Sequence, residues 1–183
     1  MGNKVSNFIG HFKTITNHKL LVMKYCFKVG LYKQGILHDL SKYTWVEFSA
    51  GVKYYKGTVS PNGIQKIKEG YSKAWLHHKG RNKHHPEYWV DWALPQKAII
   101  MPYKYAVEMV CDKMAAGIVY NGKDWKQDTQ IKYYMKERET SIVHPQIDKF
   151  LLEIFTQVSE QGIDKTLTKK NVREVYDKYC VRM

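Results

Sequence analysis

The chain has 183 residues, 44% of them hydrophobic and 14% aromatic, which is enough to bury a core and excludes disorder throughout. Its 30 Lys+Arg against 17 Asp+Glu give a formal charge of +13, so anionic partners are favoured: phosphate esters, nucleotides, nucleic acid or acidic surfaces. No apolar run reaches the roughly 18 residues that a spanning helix needs.

The opening MGNKVSNFIG lacks the apolar segment of a secretory signal. Gly2 and Ser6 satisfy a myristoylation pattern too short to carry weight. Cys26, Cys111 and Cys180 are widely spaced with no C-x-x-C, which predicts buried free thiols in a reducing, cytoplasmic compartment.

Periodicity is helical nearly throughout, so the expected fold is a single all-α domain. A first helix is expected from a Thr16-Asn17 cap to Gly30, and a second, introduced by Gly35, carries ILHDLSKYTWVEF. Residues 56–63, KGTVSPNG, read as a loop and lead to a third helix from Ile64 to His78, broken by Gly80. Pro86 and Pro95 make the next stretch irregular. A fourth helix over Pro102–Tyr120 is apolar on most faces and is expected at the centre. Helices near 126–139, 145–160 and 168–180 follow. The expected organisation is a helical core over 1–122, with 123–183 a helical extension of the same domain packed on its outside.

Seven of the eight histidines precede residue 86, and several adjoin carboxylates or one another. Imidazole and carboxylate are the ligands of Zn, Mn, Fe, Co and Ni. His18 heads a stripe of Val22, Tyr25, Cys26 and Val29, and taken alone reads as a core or capping histidine. His38-Asp39 carries a carboxylate into apolar surroundings, where it needs a partner; Lys42, three residues on, is the simplest one. His78 shares a face with Ile64, Ile67, Tyr71 and Ala74 and is expected inward, with His77 at the surface or behind a ligand. Pro86 leaves open which of His84 and His85 points inward. Asp112 lies on a strip with Lys104 and Glu108, which is either a narrow solvated edge or the polar lining of a cavity.

The order H…HD…D on a helical background resembles the HD-domain superfamily of metal-dependent phosphohydrolases, and HDLSK repeats its HD-x-x-K form. More closely, HKLLVMKYCFKVGLYKQGILHDLSKYTWVEF, SKAWLHHKGRNKHHPEYW and MPYKYAVEMVCDKMAAG are similar to a family of uncharacterised HD-like proteins, over about residues 14–122. The resemblance implies an HD-like bundle with a primary divalent metal (Mn, Fe, Co, Ni or Zn) held by His18, His38, Asp39 and Asp112. Asp39 would bridge to a second ion held by His78 and one of His84 or His85. This chain departs from the usual two-metal pattern in packing those histidines six or seven residues apart; the alternative is that they bind the substrate phosphate or protonate its leaving group.

The expected activity is hydrolysis of a nucleotide or related phosphate ester by metal-activated water. In it His38 and Asp39 are catalytic, His85 is the proton donor, and Lys42, Arg81, Asn82 and Lys104 hold the phosphate. The alternatives are an HD-type diiron oxygenase, a basic nucleic-acid-binding protein, and a ligand sensor without turnover. Dispersed lysines and the lack of a nucleic-acid motif rank the second of these below the enzyme.

Overall fold

A computed structural model describes residues 4–181; Gly2 lies outside them. The architecture is all-α, as expected. Among the described residues ten helices run α1 (Lys4–Lys28), α2 (Tyr32–Leu37), α3 (Trp45–Tyr54), α4 (Pro61–Glu69), α5 (Lys73–Arg81), α6 (Tyr103–Asn121), α7 (Thr129–Glu137), α8 (Pro145–Gln161), α9 (Ile163–Thr166) and α10 (Lys169–Cys180). Short 3-10 turns cover Leu40–Tyr43, Pro86–Trp89 and Gly122–Asp124. An isolated antiparallel bridge, Val90 to Ala98, closes the irregular segment before α6. Among the described residues no helix is long and apolar enough to cross a membrane.

Three expectations about element boundaries are corrected. Thr16-Asn17 is not a cap: α1 runs unbroken from Lys4, because nothing before Gly30 interrupts it and the hydroxyls bond elsewhere. Thr14 Oγ1 donates to Gly10 O (2.9 Å), and Thr16 Oγ1 pairs with the Tyr43 hydroxyl (3.1 Å). The second helix is split at His38-Asp39 instead of running through it. The third is also two helices. Gly70 (φ 79°) ends α4 in the left-handed conformation, and Ser72 caps α5 by accepting from Trp75 N at 3.0 Å. That break leaves Ile67 and Tyr71 exposed, while His78, on the separately oriented α5, is buried.

The residues after 122 do not sit on the outside. Phe150, Leu151, Ile154, Phe155 and Val158 of α8 and Val172, Val175 and Tyr176 of α10 share one buried cluster with Met109, Val110 and Met114 of α6 and with Val22 and Cys26 of α1. The apolar faces of α8 and α10 bury against α6, whose own apolar residues surround most of its circumference. Tyr176 fixes the join by donating its hydroxyl to Met101 O at 2.7 Å. Cys26 and Cys111 are buried free thiols, and Cys180 is half-buried.

Candidate metal centre

The site lies at the other end of this framework, where α1, α5 and α6 meet the break between α2 and α3. His18 belongs to the buried face of α1 with His11, Ile15, Val22 and Tyr25. Successive residues on a helix diverge by about 100°, so an intact helix would send His38 and Asp39 apart. Here α2 stops at Leu37, and Asp39 takes a left-handed conformation (φ 53°), unique among the described non-glycine residues. Asp tolerates this better than most residues, at a cost of roughly 1–3 kcal/mol. The turn brings both side chains to one point, with His38 Nε2 3.2 Å from Asp39 Oδ2. Lys19 secures the turn by donating Nζ to Ile36 O (2.6 Å) and His38 O (2.9 Å).

Asp39 is the hub. Its Oδ2 faces His38 and, at 3.7 Å, His18 Nε2; His18 Nε2 is also 3.0 Å from Asp112 Oδ1, and His38 Nε2 is 3.4 Å from that oxygen. Its Oδ1 faces His78 Nε2 (3.3 Å) and His84 Nε2 (3.5 Å). Two groups of ligand atoms share Asp39: His18, His38, Asp39 and Asp112, and Asp39, His78, His84 and His85, with the atoms in each within 4.8 Å of one another; His38, His84 and Glu108 form a third. The six expected metal residues therefore converge, and His85 joins them. Both members of the 84–85 pair point inward.

These atoms test whether a cation fits. Nε2 of His18, His38, His84 and His85, together with Asp39 Oδ1, is buried with no aligned hydrogen bond, and Asp39 Oδ2 is met by the Lys42 ammonium. Orphaned buried polar atoms are costly, and a divalent ion is the group that imidazole nitrogens and carboxylate oxygens would satisfy together.

The opposite ring nitrogens are occupied by carboxylates. His38 Nδ1 is 2.9 Å from Glu108 Oε1, and His84 Nδ1 is 3.3 Å from the same oxygen. Glu47 takes His77 Nδ1 at 2.6 Å and His78 Nδ1 at 2.8 Å. An ionised carboxylate only accepts, so these Nδ1 atoms carry protons, and Nε2 of His38, His78 and His84 is left facing Asp39. Glu47 and Glu108 were not anticipated from sequence. His77 stands behind the site on Glu47, one of the two places expected for it.

Charge is balanced within the cluster. Burial alone would raise Asp39, but the charges of His38, Lys42 and His78 outweigh it and hold its carboxyl well below the usual range. Asp112 is likewise held low, its burial overridden by His18 and His38. Burial disfavours a charged His38, yet Asp39, Asp112 and Glu108 push it well above the ordinary imidazole value. His85 goes the other way: burial and then the charges of His84 and His78 keep it neutral, which suits a ligand better than a proton donor.

A pocket of about 150 Å³ opens onto the first group, lined by His18, Asp112, His78 and His85, with Trp75, Val119 and Tyr120 as walls. Lys42 lines it, its Nζ 2.5 Å from Asp39 Oδ2, so the helical ion pair expected as the simple alternative exists within the cluster itself. Arg81, Asn82 and Lys104 do not line this pocket; they line a second cleft beyond His84 and Glu108. Asn82 Nδ2 donates to Ser41 Oγ (2.8 Å) and to His78 O (2.8 Å), so it braces α5. Of the Lys104–Glu108–Asp112 strip, Glu108 is buried and Asp112 lines the pocket, while Lys104 is exposed at the second cleft, so the cavity-lining reading holds for the two carboxylates.

Residues 7–157 match the family model described as a family of unknown function, DUF5662. The chain belongs to that family. Every residue of the two ligand groups lies inside the matched span, which extends past the end of α6 through most of α8. No curated protein and no solved structure matches this DUF5662 chain.

Proposed function

We propose that this chain is a metal-dependent phosphohydrolase, acting on a nucleotide or related phosphate ester. The observation that carries the reading is Asp39, shared by two buried groups in which Nε2 of His18, His38, His84 and His85 has no aligned hydrogen bond. The H…HD…D order of His18, His38-Asp39 and Asp112, which resembles the HD-domain superfamily, supports it.

His18, His38, Asp39 and Asp112 would hold one divalent transition ion, and Asp39, His78, His84 and His85 a second. A bound ion of this kind supplies Lewis acidity, lowering the pKa of water from about 16 toward about 7 and offsetting charge on phosphoryl oxygens. The protein's residues do the remainder. Glu108 and Glu47 keep the protons of His38, His84 and His78 on Nδ1 and orient the rings. Lys42 places a cation in the pocket beside Asp39, where it can pair with a phosphate. Ile15, Trp75, Ala116 and Val119 give the pocket apolar walls that limit water.

The test is a panel of mono-, di-, tri- and cyclic nucleotides with Mn, Co, Ni, Mg and Fe. Phosphate release that requires metal and disappears in a His38→Ala, Asp39→Ala double variant is expected. No metal-dependent turnover of any member contradicts the proposal.

A second reading, an HD-type diiron oxygenase, is favoured by one observation. The close spacing of His78, His84 and His85 nonetheless gathers three imidazoles around Asp39. Anaerobic purification with iron would separate the two readings, since a mixed-valent diiron spin resonance signal favours the oxygenase.

A further inference from the structure

The second cleft, of about 300 Å³, lies between α2, the end of α5 and the start of α6. Lys33, Arg81, Lys83 and Lys104 line it, contributed by three separate segments of the chain. Among the described residues none of the four makes an ion pair. The carboxylate in the cleft, Glu108, is buried, with Oε1 already engaged by His38 and His84. Lys83 and Lys104 are held over the Tyr105 ring, 5.9 and 4.8 Å from its centroid, and Arg81 has one long bond, from Nη1 to His77 O at 3.4 Å. The 19-residue helix α6 begins at the same cleft with no side-chain cap on its first turn, so the positive end of its dipole adds to the four cations.

Four like charges lining one concavity raise its positive potential and attract an anion to it. We infer that this cleft is a binding site for an anion carrying two or more phosphate groups, separate from the metal pocket. A single phosphate would reach only part of a charge set spread over three segments. A phosphate chain spans it, with Arg81 able to engage an oxygen pair in bidentate fashion. Such an anion comes either as free polyphosphate or as the tail of a nucleoside triphosphate. Arg81, Lys83, Lys104 and Lys33 line the cleft and not the metal pocket, so the site stands whether or not the metal centre hydrolyses phosphate esters.

The experiment is calorimetric titration of the full chain, stripped of metal on a chelating resin, with inorganic tripolyphosphate and, separately, with ATP. Saturable binding is expected, weakened at least about ten-fold by Arg81→Ala with Lys104→Ala, since each lost charged hydrogen bond is worth more than one factor of ten. Arg81→Lys should recover part of the loss. Lys170→Ala, on the exposed side of α10 and outside both pockets, should leave affinity within about two-fold, consistent with the small effect of exposed charges. Tighter ATP than tripolyphosphate identifies the nucleotide as the source, and the reverse identifies the free chain; both support the site. No binding, a loss with Lys42→Ala that the Arg81/Lys104 pair does not reproduce, or an equal loss with Lys170→Ala overturns it. Thermal melts of each variant confirm that the compared proteins are folded.

Discussion

His38 and Glu108 are joined by a buried 2.9 Å hydrogen bond, from imidazole Nδ1 to carboxylate Oε1. The bond fixes which nitrogen of His38 is left to face Asp39, and the same oxygen does this for His84. Glu108→Ala should therefore weaken divalent-ion binding by about 10–100-fold without removing any ligand. Glu108→Gln, which keeps an acceptor in place, should recover part of that loss. Competition against a chromogenic chelator measures it, and unchanged affinity in a folded Glu108→Ala protein removes the positioning role.

Two glycines separate close packing from idle flexibility. A Cβ on Gly51 would lie 2.0 Å from His11 Nε2, in a ring that also packs against Phe48 and Tyr55. Gly51→Ala should cost about 1–3 kcal/mol, the usual range for overpacking. A Cβ on Gly63, inside α4, meets nothing, so Gly63→Ala should gain about 0.5–1 kcal/mol from helix propensity alone. Denaturant melts of the two variants should move in opposite directions.

Tyr176 gives the fold an alkaline limit. Burial, followed by the nearby Cys180, raises its hydroxyl from 10.0 to about 12, with Arg173 opposing. Between those values the unfolded chain releases this proton and the native chain keeps it, so the native state binds more protons and stability falls as pH rises. Below pH 10 the contribution is constant. Tyr176→Phe should start from lower stability, having lost the bond to Met101 O, and decline less steeply between pH 10 and 12. Equal slopes in wild type and variant contradict this.

Phe155 of α8 is fully buried and meets the Tyr134 ring edge-on at 5.3 Å. Phe155→Ala should cost about 3–5 kcal/mol. A chain cut after residue 122 exposes Met109, Val110 and Met114 and should show no cooperative thermal transition. A sharp melt of that fragment would mean that residues 123–183 are an appendage after all.

How much of this was readable in the sequence varied with the local backbone. His18 stands on an uninterrupted helix, where a 3.6-residue stripe identifies the inward face, whereas the strip of Lys104, Glu108 and Asp112 reads equally as a solvated edge or a cavity lining. The His38-Asp39 pair was visible as chemistry, but its convergence depends on a left-handed Asp39 that no glycine marks. His84 and His85 could not be ordered by alternation, because the segment turns there, with His85 N bonded to Asn82 O at 3.2 Å, and both rings end up inside. Glu47 and Glu108 were missed because a glutamate on a helix usually pairs with a lysine at the surface. The available signal was position: Glu108 is four residues before Asp112, on the same face of the most apolar helix. Arg81, Asn82 and Lys104 were expected on the substrate phosphate beside the metal; they line another cleft, which the sequence has no local signal to separate from the first.

The central claim is that Asp39 joins two cation sites, and metal content reads it directly. Protein purified without added metal, analysed for elements before and after titration with Mn or Fe, should bind up to two divalent ions per chain. Asp39→Ala should lose both, while a folded Asp112→Ala protein keeps the one held by Asp39, His78, His84 and His85. A wild-type protein that takes up no divalent ion, or an Asp39→Ala variant that binds as many as the wild type, contradicts the account.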